Sequence, residues 1–327
     1  MSLSNIMSIF VKINNKATYK KSKFMKKVFL FAMFLGSLTV FGKVKDKQPA
    51  TVIITAGQSN TDGRVLNTQL PDYIQQNKYV YCKWCYGSAG KLQTEGFETF
   101  WPRMVHPKRP ERWAYDAVTY YWLEQALKRD FYVIKWSLGG TAIDTACSST
   151  SRKYWSADPD WLAANRSTLT GGKSLLLSFT EEIDYCIDNY LSKLPNGYDI
   201  KAFLWHQGES DRHQGKAYYD NLKAVVAYVR AHLVEKTGEK KYAQLPFICG
   251  TVARSNKQYS ADVEEALYRL AKEDKNFYVI DMADAELQRD QLHFTAQSAE
   301  RLGIEMYNRL VELGVAGKKA EKISIKQ

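Results

Sequence analysis

Residues 202–211 read Ala202-Phe203-Leu204-Trp205-His206-Gln207-Gly208-Glu209-Ser210-Asp211. A short apolar, aromatic run stops abruptly and gives way to imidazole, carboxamide, hydroxyl and carboxylate groups. The run is too short for a helix and reads as a buried strand. Its polar tail then lies at the strand's carboxyl end, where open parallel sheets bind their ligands. Four more short runs of the same kind are Thr51–Ala56, Tyr132–Trp136, Phe247–Val252 and Phe277–Ile280. Helical periodicity marks Ala114–Lys128, Leu175–Leu194, Tyr218–Val234, Val263–Lys272 and Ala296–Leu313. This alternation predicts an α/β fold, a mostly parallel sheet with helices on both faces. The intervening regions 57–112 and 140–172 are too long for ordinary connections and read as functional loops over one end of the sheet.

Three further polar clusters fall at or beyond strand ends. They are Gly57-Gln58-Ser59-Asn60, Ser137-Leu138-Gly139-Gly140-Thr141 and Asp290-Gln291-Leu292-His293-Phe294-Thr295. With the first cluster they supply the parts of an acyl-transfer site. Ser59 sits in a tight turn after a strand, as a nucleophile or as a simple helix cap. Gly139 and Gly140 form either a plain turn or a bare backbone able to approach an oxyanion. Gln207 is an oxyanion donor or an amide tying down its loop. Asp290 is close enough to His293 to orient its ring and stabilise its charge. His206 points opposite to Gln207 by strand alternation and is read as scaffold. His106, His213 and His232 lack comparable company and are read as structural.

The composition, 45% apolar and 25% charged, excludes disorder. The net charge of +11 would point to nucleic acid, but the first 42 residues hold seven lysines and no acid, and without them +4 remains. No nucleic-acid partner is therefore expected. Met25-Lys26-Lys27 followed by the uncharged run Val28–Phe41 and Gly42 has the form of a secretory signal. The run is too short to span a bilayer, so a secreted or periplasmic chain, starting its signal at Met25 and without stable membrane insertion, is expected. Residues 43–327 show no linker and are read as one domain. Cys82 and Cys85 have redox or metal spacing but lack a second pair, so a structural pair or two core thiols is expected.

Together the four clusters resemble the SGNH hydrolases, and more narrowly the carbohydrate esterases that include sialate O-acetylesterases and acetylxylan esterases. The resemblance rests on Gly-Gln-Ser-Asn at 57–60, Gly-Gly-Thr at 139–141, Trp-His-Gln-Gly-Glu-Ser-Asp at 205–211 and Asp-x-x-His at 290–293. It implies a flavodoxin-like three-layer α/β/α sandwich, no metal and no cofactor, and an acetylated carbohydrate as substrate. It implies Ser59 as nucleophile, His293 as base, and Asp290 or Glu209 as the carboxylate behind that base. The Ser59 and Gly140 amides and the Gln207 side chain would line the oxyanion site. Asn60, Gly139, Arg64 and Trp113 are the candidate substrate contacts. Trp84, Trp101, Trp155 and Trp161 are further candidates for stacking on sugar rings, and Arg103 and Arg112 for a sialate carboxylate. A lipase or thioesterase on the same fold, and a glycan-binding protein without activity, are the competing readings.

Overall fold

The computed structural model describes residues 48–88, 90–103 and 111–320. The leader, with Met25 and Gly42, and His106 lie outside the described residues. From Pro49 onward the chain forms one compact unit. Its six long strands are β1 (Ala50–Gly57), β2 (Cys82–Ser88), β3 (Phe131–Ser137), β4 (Tyr198–His206), β5 (Phe247–Gly250) and β6 (Phe277–Ile280). They lie side by side in the order β6-β5-β4-β1-β3-β2, all parallel. Short antiparallel pieces, Lys91–Leu92 and Glu98–Thr99, extend the β2 edge.

Alternation along the strands divides the core in two. Ile54, Ile134, Phe203, Trp205 and Phe247 share one apolar cluster with α3 (Leu175–Asn189), α4 (Gly215–Thr237) and α5 (Ala261–Glu273). Ile53, Val133, Leu204 and Ile248 share the other with α2 (Tyr115–Leu127) and α6 (Ala296–Glu312). Strands buried on both faces read as continuous apolar runs, as these do. Burying a side chain such as Phe203 contributes roughly 1.5–3 kcal/mol. The result is a flavodoxin-like three-layer α/β/α sandwich.

β2 is absent from the five apolar runs, although the aromatic stretch at Cys82–Cys85 ahead of Gly87 reads as strand-like. Its sequence, Cys-Lys-Trp-Cys-Tyr-Gly-Ser, carries a lysine and a glycine and lies within the region expected to be irregular. Cys82 and Cys85 are three apart on it, so they face opposite layers: Cys82 enters the α2 side and Cys85 the α3 side. They cannot pair with each other, and all five cysteines are buried free thiols.

Register is what assembles the site. Gly57 lies opposite both Ser137 of β3 and His206 of β4. Three strands thus end at one level, and the segments carrying Ser59, Gly139 and Glu209 leave the sheet together. β1 and β4 flank the point where strand order reverses, the place where doubly wound sheets open a crevice.

Candidate active site

Ser59 opens a single helical turn, α1 (Ser59–Asp62), directly after β1. Gly57 has φ of +150°, and a Cβ there would stand 2.3 Å from the His206 carbonyl oxygen. Only glycine lets the chain turn so sharply against β4. Ser59 lines a cavity of about 350 Å³ with Gly140, Arg64 and His293. Gly140 adopts φ of +71°, and a Cβ on Gly139 would collide with the Arg64 guanidinium and approach Ser59. The two glycines therefore let the second loop close on the serine.

His293 arrives from beyond β6. Its Nδ1 is 2.6 Å from Asp290 Oδ2, while Asp290 Oδ1 accepts from the main-chain N–H of Leu292 and His293. That turn fixes the ring and directs Nε2 as the free base nitrogen. The loop is pinned from several sides. Asn256 donates to the Leu292 carbonyl, Gln288 donates to those of Phe294 and Arg64, and Thr295 caps α6. Burial lowers the His293 pKa below that of an ordinary histidine; Arg64 lowers it further, and Asp290 opposes the shift. The imidazole is thus neutral and able to accept a proton at neutral pH.

Glu209 bonds elsewhere, and its charge favours the His293 imidazolium only as a minor electrostatic effect. It is buried, and it accepts from Gln58 Nε2 at 2.5 Å and Asn60 Nδ2 at 3.0 Å. Burial opposes its charge, but His206, with Nε2 3.4 Å away, and the Asn60 hydrogen bond hold the carboxyl below its usual range. Of the two carboxylates considered behind the base, the geometry brings Asp290 to His293, while Glu209 grips the residues on either side of Ser59.

Other expectations need correction. The Gln207 carboxamide is fully engaged away from Ser59: Nε2 donates to the Thr141 carbonyl and to Asp211, and Oε1 accepts from Tyr218. It is the amide that ties down the loop. Asp211 completes that tie by accepting from the N–H groups of Ile143 and Asp144. Burial pushes its carboxyl up to about 6. Asn60 is buried and bonded on both sides, to Glu209 and to the Phe294 N–H, so it is no substrate contact. Trp113 is 1% exposed and bonded to the Leu66 carbonyl within the core. Trp84 and Trp155 are buried too, Trp101 packs on the core, and Trp161 packs on Tyr154. Arg103 pairs with Glu98. Among the described residues the cavity is lined mainly by polar side chains and Leu292, with polar and apolar atoms sharing its surface about equally, and it adds Arg212, Ser148 and Gln258, which the sequence reading passed over. Arg212 directly follows the Trp205–Asp211 motif; Ser148 and Gln258 belong to no motif.

A family model described as carbohydrate esterase, sialic acid-specific acetylesterase matches residues 133–312. A probable carbohydrate esterase of Arabidopsis thaliana is 31% identical over 113 residues, 34% of this chain and 40% of that relative. The chain thus aligns with less than half of that relative's length. Among solved structures, an Arabidopsis thaliana protein superposes with a TM-score of 0.54 at 21% identity, covering 81% of this chain and 98% of the other. NanS gives 0.55 at 14% identity, covering 82% and 99%. A carbohydrate acetylesterase from Xanthomonas citri gives 0.51 at 13%, covering 81% and 56%. These likenesses establish the shared fold. The family model spans more than half of the 327 residues, and the chain belongs to the carbohydrate esterase, sialic acid-specific acetylesterase family.

Proposed function

We propose that this protein removes acetyl esters from sugars through an acetyl-serine intermediate. The observation that carries the reading is the shared cavity of Ser59 and His293, with the imidazole held by Asp290. Ser59 Oγ attacks the acetyl carbonyl while His293 Nε2 takes its proton. The carbonyl oxygen, now negative, is met by the main-chain amides of Ser59 and Gly140. Collapse breaks the bond to the sugar oxygen, which leaves with the proton from His293. Water, deprotonated by the same imidazole, then releases acetate and restores the serine.

Arg64 and Arg212 put positive charge on the cavity wall. Arg64 also pairs with Asp62 and Glu209 lines the same cavity, so the preference for a carboxylate-bearing sugar of the sialate type over neutral xylan rests on these two guanidinium groups together with the family match. The match to a carbohydrate esterase family model argues against a lipase. Export is part of the proposal and rests on the sequence of residues 25–42. Acetate release from O-acetylated sialate, acetylated xylan and other acetylated glycans tests the reading. Preferential turnover of the sialate ester is expected. Release from p-nitrophenyl octanoate far faster than from the acetate would overturn the short-acyl assignment, and sugar binding without any acetate release would favour a binding protein.

A further inference from the structure

Ser59 and His293 are far apart in the sequence yet share one cavity, and something must set the distance between them. One side chain touches the neighbours of both. Asn60 follows the serine directly; its Oδ1 accepts from the main-chain N–H of Phe294, which follows the histidine, at 3.1 Å. Its Nδ2 donates to Glu209 Oε1 at 3.0 Å. Glu209 in turn accepts from Gln58 Nε2, on the residue before the serine, and the Ser210 hydroxyl donates to Gln58 Oε1 at 2.9 Å. Asn60 is 5% exposed and Glu209 2%, so water does not compete for these bonds.

We propose that Asn60, anchored on Glu209, is a positioning residue that sets the spacing between the nucleophile and the base. The inference rests on the serine reading above. An amide is the group that can do this, because it accepts from a main-chain N–H and donates to a carboxylate at once. Aspartate in its place would keep the acceptor, lose the donor and face Glu209 with a second negative charge. Alanine would lose both bonds. The residue touches neither substrate nor the reacting atoms, so its loss acts through the Ser59–His293 geometry alone.

The rate at which diisopropyl fluorophosphate labels Ser59 tests this without any sugar substrate, because the base must take the serine proton as the P–O bond forms and fluoride leaves. Asn60→Ala is expected to slow labelling and acetate-ester kcat by about 100-fold, the cost of a misplacement near 1 Å. KM should stay within about twofold and the pH midpoint should stay unchanged, since His293 and Asp290 are untouched. If Asn60→Ala does not fold, Asn60→Asp carries the test with the same expected direction. Labelling and kcat equal to wild type in a folded variant would overturn the proposal. So would a rise in KM with kcat preserved, which marks a substrate contact. Absence of labelling in the wild type would bring down the serine mechanism and this inference with it. Labelling without acetate release from any sugar ester would defeat the sugar-ester reading alone.

Discussion

At Ser59 the side chain and its partner have to be judged by pairwise chemistry. Ser59→Ala should lower kcat by several orders of magnitude, on the order of 10⁶, with the fold intact by circular dichroism. Turnover near wild type would remove Ser59 from the mechanism. The base makes a pH prediction whose sign follows from its neighbours. The proposed mechanism needs neutral His293, so kcat/KM should rise as pH increases through its pKa, which lies below that of an ordinary histidine. Arg64→Gln removes a charge that disfavours imidazolium, so the acid limb should move to higher pH. Asp290→Asn removes what favours imidazolium, so the limb should move lower, and kcat should fall on the order of 10⁴. A pH–rate profile of the three proteins reads all of this; limbs that coincide would exclude both neighbours. At this scale the reading of motifs found Ser59, His293 and Asp290 together but misassigned Gln207, Asn60 and Trp113. A motif specifies which groups are present, whereas the direction of a carboxamide depends on donors that other segments bring, here Thr141, Asp211 and Tyr218.

Elements are held to one another by a few buried polar ties, and these make stability predictions. Asp211, at the end of β4, accepts from the N–H groups of Ile143 and Asp144 beyond β3. Asp211→Ala leaves those donors and Gln207 without an acceptor and should cost about 3 kcal/mol or more in urea unfolding. A loss below 0.5 kcal/mol would mean that the loop is held by other means. Under α2, Lys135 of β3 pairs with Asp116 at 2.6 Å, both side chains almost fully buried. Lys135→Met alone should destabilise by about 3–5 kcal/mol, because it strands a buried carboxylate. The double change Lys135→Met with Asp116→Leu should recover most of that loss. Equal losses in the single and double variants would show that packing, not charge, is what matters there. Five helices and five strands were readable because their apolar residues repeat at 3.6 or run unbroken over a buried strand. β2 was legible only as a strand-like aromatic stretch, since its place at the sheet edge comes from pairing with β3 and its local pattern is broken by Lys83 and Gly87.

For the molecule as a whole, a chain beginning at Lys43 should unfold in one cooperative transition, because one sheet and its two helix layers leave no independent part from Pro49 onward. Two resolved transitions in calorimetry would contradict a single domain. The sequence by itself determined the layered α/β class, the order of strands and helices, and the four polar clusters at strand ends. Periodicity and turn chemistry are local, so they can be read along the chain. What only the tertiary structure decided is which clusters meet: the register of Gly57 against Ser137 and His206, the hydrogen-bond partner of His293, the contacts of Glu209 and the residues that line the cavity. Those follow from contacts between residues far apart in the chain, whose hydrogen bonds must be satisfied jointly once water is excluded, and no single segment carries that information.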